Sequence, residues 1–206
     1  MPATTPQQKV SQVRMFGGKY IRVVLIGDTY DTCQKYALKI AKKEGKTFIH
    51  AFDDIEVIEG QATIALEILE QSSKPLDYIF VPVGGGGLIS GIITVMSILS
   101  PETKIIGVEP QGAPSMHQSI ISDKRVVLKK IDNFVDGAAV REIGKIPFKI
   151  CKTQLDEIIT VDEGKICQTI LDLYNKEGIV AEPAGALAVA GLEEIDKDFE
   201  GKRIAI

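Results

Sequence analysis

An α/β fold built on a mostly parallel sheet is predicted by three features of the chain. Short runs rich in β-branched and aromatic residues alternate with longer segments whose apolar residues recur at helical spacing. Helices lying between strands of this length imply right-handed βαβ crossovers, and so strands that run parallel. The run Tyr78-Ile79-Phe80-Val81-Pro82-Val83 breaks into Gly84-Gly85-Gly86-Gly87 and then into Leu88-Ile89-Ser90-Gly91-Ile92. That is a strand, bare backbone and a helix start in immediate succession.

The elements follow in order. Met-Pro-Ala-Thr-Thr-Pro at the start leaves little room for a first element. Residues 21–26 (Ile-Arg-Val-Val-Leu-Ile) read as a strand. Asp28 or Thr29 can cap a helix that runs to about Glu44, with Tyr30, Cys33, Tyr36, Ala37, Ile40 and Ala41 on one face and Gly45 ending it. Residues 47–50 make a short strand. Residues 58–70 form a helix with Ala62, Ala65, Leu66 and Leu69 along one face. The strand at 78–83 and the helix at 88–99 come next, then a strand at 104–108 and a helix at 114–122. Residues 157–161 are a strand, and Asp162 caps a helix over 163–176. Pro183 suits the first turn of a last helix that runs to about Ile195. The final Lys-Arg-Ile-Ala-Ile reads as a strand just begun, which gives the chain the look of a fragment.

The glycine junction carries the chemistry. Glycine permits positive φ and lets backbone N–H groups come close to a ligand. A helix start adds unpaired N–H donors and the positive end of its dipole. Together they make an anion cradle, whose natural ligand is a phosphate. A P-loop is excluded, because Leu88 follows Gly87 and no lysine occurs before Lys104. The dinucleotide fingerprint fits poorly: Gly85 and Gly87 suit its first two glycines, but Ser90 stands at the third. Glu109 is the one candidate for a ribose-binding acid. A flexible linker is disfavoured by the apolar residues on both flanks.

The whole chain narrows the classes further. Its 206 residues suit one large domain or one and a half small ones, and 45% hydrophobic with 25% charged residues is a globular mix. A net charge of -4 without a basic stripe argues against nucleic acid. There is no apolar run of membrane-spanning length and no visible secretory signal. Cys33, Cys151 and Cys167 read as three buried thiols in a reducing cytoplasm. His50 and His117 are too few for a histidine-built metal site and read as ordinary polar residues. A domain boundary is expected near Ala51, where polar residues such as Asp53 and Asp54 follow the short strand. Ligands of open parallel sheets bind at the carboxyl ends of strands. Residues 84–87, Glu109-Pro110, residues 136–140 and residues 181–186 fall there. Glu182 also has a plain reading, as a carboxylate favoured by the start of a helix.

Val-Pro-Val-Gly-Gly-Gly-Gly-Leu-Ile-Ser-Gly at 81–91 resembles the phosphate loop of fold-type II pyridoxal-phosphate enzymes in the serine/threonine dehydratase family. Further segments agree in order and spacing: Met1-Pro2 with Thr5-Pro6 and Lys9, Phe52-Asp53-Asp54 with Gly60-Gln61, Gly107-Val108-Glu109-Pro110, Asp136-Gly137-Ala138-Ala139-Val140, and Glu182-Pro183-Ala184-Gly185-Ala186. The likeness covers nearly the whole chain. Residues 136–148, with Val140-Arg141-Glu142-Ile143-Gly144, are most similar to the biosynthetic threonine ammonia-lyases. Serine dehydratases and serine racemases share the scaffold and stay as alternatives, as does a non-catalytic phosphate-binding remnant.

The resemblance implies pyridoxal 5′-phosphate as cofactor and deamination of L-threonine to 2-oxobutanoate and ammonia in isoleucine biosynthesis. It implies that Gly84, Gly85, Gly86, Gly87 and Leu88 hold the phosphate, that Asp136 and Gly137 lie beside the ring, and that Glu182 acts near the cofactor by orientation or charge. It implies residues 1–50 as the C-terminal part of the small domain and 51–206 as the incomplete large domain. The Schiff-base lysine of these enzymes sits in a Ser-Phe-Lys-x-Arg-Gly-Ala segment that does not occur here, so the chain alone is expected to be inactive. Glu109 and Ala113 match positions that hold a divalent cation in some members, but Ser115 stands where they carry an aspartate, so no metal is expected. Homodimers or homotetramers in the cytoplasm are the implied assembly.

Overall fold

The computed structural model describes residues 1–206, and the chain divides into two compact units, Met1–Ile49 and His50–Ile206. The first unit contains α1 (Gln7–Gly17), a 3-10 turn at Gly18–Tyr20 and α2 (Tyr30–Glu44). α1 occupies a stretch expected to leave little room for an element; its residues are mostly polar, and Val10 is the one it buries. α2 starts where expected. The Thr29 hydroxyl accepts from the Thr32 N–H at 3.3 Å, and Gly45 closes the helix in the left-handed region.

Residues 21–26 and 47–50, expected as strands, are not regular strands. A strand exists by the hydrogen-bond ladder it shares with a neighbour. Residues 24–27 find only isolated bonds to residues 1–3: the terminal ammonium to the Val24 carbonyl at 2.8 Å, Ile26 N–H to Met1 at 3.0 Å and Ala3 N–H to Gly27 at 2.7 Å.

The second unit runs α3 (Ile55–Gln71), β1 (Tyr78–Pro82), α4 (Gly87–Leu99), β2 (Lys104–Pro110), α5 (Ser115–Ile121), α6 (Lys145–Gln154), β3 (Glu157–Val161), α7 (Glu163–Glu177), α8 (Pro183–Glu194) and β4 (Ile204–Ala205). Its sheet has the order β3-β2-β1-β4 with every pairing parallel, as the alternation predicts. Tyr78 sits opposite Lys104 and Ile204, and Ile106 opposite Glu157.

Successive strand residues face opposite ways. Ile79, Val81 and Ile105 therefore join Ala65 of α3, Ile89, Ile93 and Met96 of α4, and Cys151 of α6 on one side of the sheet. Phe80, Ile106 and Val108 meet Ile166 of α7 and Ala186, Leu187 and Ala190 of α8 on the other. Each fully buried Val, Leu, Ile, Phe or Met side chain among these contributes about 1.5–3 kcal/mol.

Three elements of this unit differ from the sequence reading. α3 starts at Ile55 and not at residue 58, because Asp54 caps it there. α6 lies where the sequence gives no helix; Pro147 stands in its first turn, where its missing N–H has no partner to lose. β2 extends to Pro110, two residues further than expected. Glu109 and Pro110 pair with Thr160 and Val161, which takes Glu109 out of the loops and into the interior.

Candidate functional site

The chain leaves the sheet just after Val83, whose N–H still bonds the Val108 carbonyl at 2.8 Å. It enters α4 at Gly87. Between them Gly86 is the N-cap at φ 92°, a left-handed conformation that side chains resist. The other glycines are set by close approach. A Cβ at Gly85 would lie 2.2 Å from the Phe52 ring, and one at Gly87 3.0 Å from Phe52 Cβ. A Cβ at Gly84 would lie 3.0 Å from Ala138 Cα. Bulk is thus excluded from two sides, by Phe52 and by Ala138.

The N–H groups of residues 84–88 lie between the last ladder bond at the end of β1, from Val83 N–H to the Val108 carbonyl, and the Ser90 N–H bond to the Gly86 carbonyl in α4, and no side chain caps the helix. Residues 85–87 are buried. Buried N–H groups nearly always have an acceptor, so a cluster of them converging at a helix start calls for an anion. Leu88 brings no charge, so backbone dipoles alone must hold it. The donor set fits a phosphate monoester, the group by which pyridoxal phosphate is held in the enzymes this chain resembles.

The structure brings Gly84, Gly137 and Glu182 together from three separate segments. Gly84 abuts the backbone of Gly137 and Ala138. A Cβ at Gly137 would lie 2.8 Å from the Ala184 methyl and 3.5 Å from Glu182 Oε1. Glu182 is exposed and is the N-cap of α8 through its backbone, but its side chain makes no capping bond. Its carboxylate is turned toward Gly137 instead. Asp136 is exposed at the same corner.

The turn at 50–54, for which the sequence suggests no part in the site, forms a wall of the cradle. His50 Nδ1 accepts from the N–H groups of Phe52 at 3.2 Å and Asp53 at 2.9 Å. The Phe52 ring meets His50 edge-on, with centroids 4.7 Å apart. Asp53 Oδ1 accepts from Ile146 N–H at 2.9 Å, while Gly144 N–H donates to the Gly85 carbonyl at 3.1 Å. Asp54 caps α3 through Glu56 N–H at 2.9 Å. Burial lowers the His50 pKa, against the opposing pull of Asp53 and Asp54. His50 and Asp54 bond residues two or three positions away, whereas Phe52 meets Gly85 and Asp53 meets Ile146 far along the chain, where no local pattern marks the partner.

Glu109 lies at the carboxyl end of β2, fully buried. Its carboxylate accepts from Met116 and His117 N–H, both at 2.7 Å. Burial pushes its pKa up to about 8, and the backbone bonds keep it from rising further. Ser115 Oγ lies buried nearby with no aligned hydrogen bond. No three His, Cys, Asp or Glu side chains cluster as metal ligands. Burial also pushes the Cys151 thiol up to about 12, which leaves it inert near neutral pH. Of the three thiols expected to be buried, Cys151 alone is, since Cys167 is exposed and Cys33 half-buried. No helix is long and apolar enough to cross a membrane.

The family profile described as pyridoxal-phosphate dependent enzyme matches residues 1–206. A biosynthetic L-threonine dehydratase of Halalkalibacterium halodurans is 50% identical over 204 residues, which cover 99% of this chain and 49% of the relative. The chain thus spans about half the length of the curated relatives it matches. The processed threonine deaminase isoform 2 of Solanum lycopersicum superposes with a TM-score of 0.86 at 41% identity, covering 100% of this chain and 59% of that one. Maize serine racemase superposes as well, with a TM-score of 0.87, but at 26% identity, covering 99% of this chain and 62% of that one. The helix-flanked parallel sheet is the fold-type II architecture.

Proposed function

The chain belongs to the family of pyridoxal-phosphate dependent enzymes, and from that premise we propose that it is the cofactor-cradling part of an L-threonine ammonia-lyase. The reaction is deamination of L-threonine to 2-oxobutanoate and ammonia, as a step of isoleucine biosynthesis. Identity of 50% to a biosynthetic threonine dehydratase, over nearly the whole chain, carries the choice of substrate. The fold does not, since a serine racemase superposes equally well.

The N–H groups of residues 84–88 bind the phosphate and set the position of the ring. Gly137 leaves space at the ring's edge. Glu182 orients the site and holds negative charge beside it. When bound, pyridoxal 5′-phosphate supplies the electron sink for loss of the substrate's Cα proton. Residues 1–50 serve as part of the small domain and 51–206 as the large cofactor domain. A cytoplasmic homodimer or homotetramer is the assembly we propose.

The test uses the full-length protein that carries this chain. Its visible spectrum is recorded, then L-threonine, L-serine and D-serine are supplied separately while keto acid and ammonia are assayed. A yellow protein that makes 2-oxobutanoate fastest from L-threonine supports the proposal. A protein that takes up no pyridoxal phosphate overturns it, and faster turnover of either serine moves the assignment to that substrate.

A further inference from the structure

We propose that His50 is a positioning residue for the phosphate loop, its unprotonated Nδ1 holding the turn that walls the loop, so that protonation of His50 weakens cofactor binding. The inference rests on the reading of residues 84–88 as the phosphate cradle.

The geometry requires a lone pair on Nδ1. Both the Phe52 and Asp53 N–H groups point at that atom, at 3.2 and 2.9 Å. A ring protonated at Nδ1 has no lone pair there and sets a donor against two donors. The neutral tautomer with its proton on Nε2 is therefore the one the turn selects. The turn matters because of what it carries. Phe52 fills the space above Gly85 and Gly87. Asp53 fixes Ile146 N–H, two residues beyond the Gly144 N–H that donates to the Gly85 carbonyl. One imidazole thus braces two contacts on the loop, one through a ring and one through a carboxylate.

The charged groups that face His50 are Asp53 and Asp54, which favour the imidazolium; burial outweighs them and lowers the pKa below the ordinary 6.5. The folded turn prefers the neutral ring. Its bracing is complete above the ordinary histidine pKa and is lost as pH falls through the lowered one.

Asparagine is the discriminating substitution. Its side-chain oxygen can accept from N–H groups two and three residues on, as in an Asx turn, and it does not titrate. The full-length protein is stripped of cofactor and titrated with pyridoxal phosphate by absorbance for wild type, His50→Asn and His50→Leu between pH 8 and pH 5. Wild type and His50→Asn are expected to bind equally at pH 8. At pH 5 wild type is expected to be several-fold weaker than His50→Asn, and comparing the two cancels titration of the cofactor's own phosphate. His50→Leu is expected to bind about tenfold more weakly at pH 8, the effect of losing one or two hydrogen bonds. Hydrogen exchange should speed up at the Phe52 and Asp53 amides.

A wild-type to His50→Asn ratio that stays constant with pH overturns the inference, as does wild-type affinity in His50→Leu. If His50→Leu does not fold, the pH ratio alone decides. A wild-type protein that takes up no pyridoxal phosphate overturns the cradle reading and this inference with it; cofactor uptake indifferent to residue 50 overturns this inference alone.

Discussion

Gly91 of α4 lies against the backbone of Ala62 in α3, so close that a Cβ on Gly91 would come within 2.6 Å of the Ala62 nitrogen and 2.7 Å of the Ile58 carbonyl oxygen. Backbone atoms inside a helix cannot give way as a flexible side chain does. The contact sets the spacing of the two helices on one side of the sheet, and α4 is the helix whose start forms the phosphate cradle.

Gly91→Ala is therefore expected to destabilise the protein by about 1–3 kcal/mol, although alanine favours helix. Gly60, inside α3, has nothing within 4 Å of its would-be Cβ. Gly60→Ala is expected to stabilise by about 0.4–1 kcal/mol. Urea unfolding of the two variants should show shifts of opposite sign. Equal shifts would mean that helix propensity, not packing, governs both sites.

At Gly85 the same reasoning concerns the cofactor. Gly85→Asp places a side chain where the Phe52 ring sits and a negative charge beside the N–H cluster. Pyridoxal phosphate binding should be lost, with absorbance titration showing an affinity at least about a hundredfold weaker, on the order of 3 kcal/mol. Near-normal binding would remove residues 84–88 from the phosphate site.

Glu182→Gln keeps the shape of the corner beside Gly137 and removes its charge. Cofactor affinity should stay within about twofold while turnover of L-threonine falls by about tenfold to a hundredfold, smaller than the loss of a proton-transfer group. Unchanged turnover would leave Glu182 with no electrostatic part in the reaction.

Stability should also carry the mark of Glu109. Its pKa is raised to about 8 in the fold against an ordinary 4.5. Between those values the folded state holds a proton that the unfolded chain releases. Its contribution is thus full below about pH 4.5 and is lost as pH rises through 8. Denaturation midpoints measured from pH 5 to pH 8 should fall with pH from this source, and Glu109→Gln should flatten the slope. An unchanged slope in the variant would assign the dependence to other groups.

Much of the fold was legible in the sequence. The apolar run at 78–83, the caps Thr29 and Asp162, and Gly45 each act on their own neighbours in the chain, so their signal is local. α6 carries no start signal along the chain, since its N-cap, Gly144, offers no side-chain acceptor. Residues 21–26 carry a strand composition, yet strand formation depends on a partner that composition cannot supply. The glycine junction was legible as a cradle because backbone freedom, N–H donors and the helix start all lie in one short segment.

The sequence by itself determined the kind of ligand the cradle suits, the parallel α/β class and the family resemblance, since each rests on short-range order along the chain. Only the tertiary structure decided what surrounds the cradle. It placed Phe52 on Gly85, Gly137 beside Glu182, Asp53 against Ile146 and Glu109 inside the sheet. These contacts join residues that are strangers along the chain: Phe52 and Asp53 precede α3, Gly137 lies between α5 and α6, and Glu182 lies between α7 and α8, so only tertiary packing gathers them around the loop that follows β1.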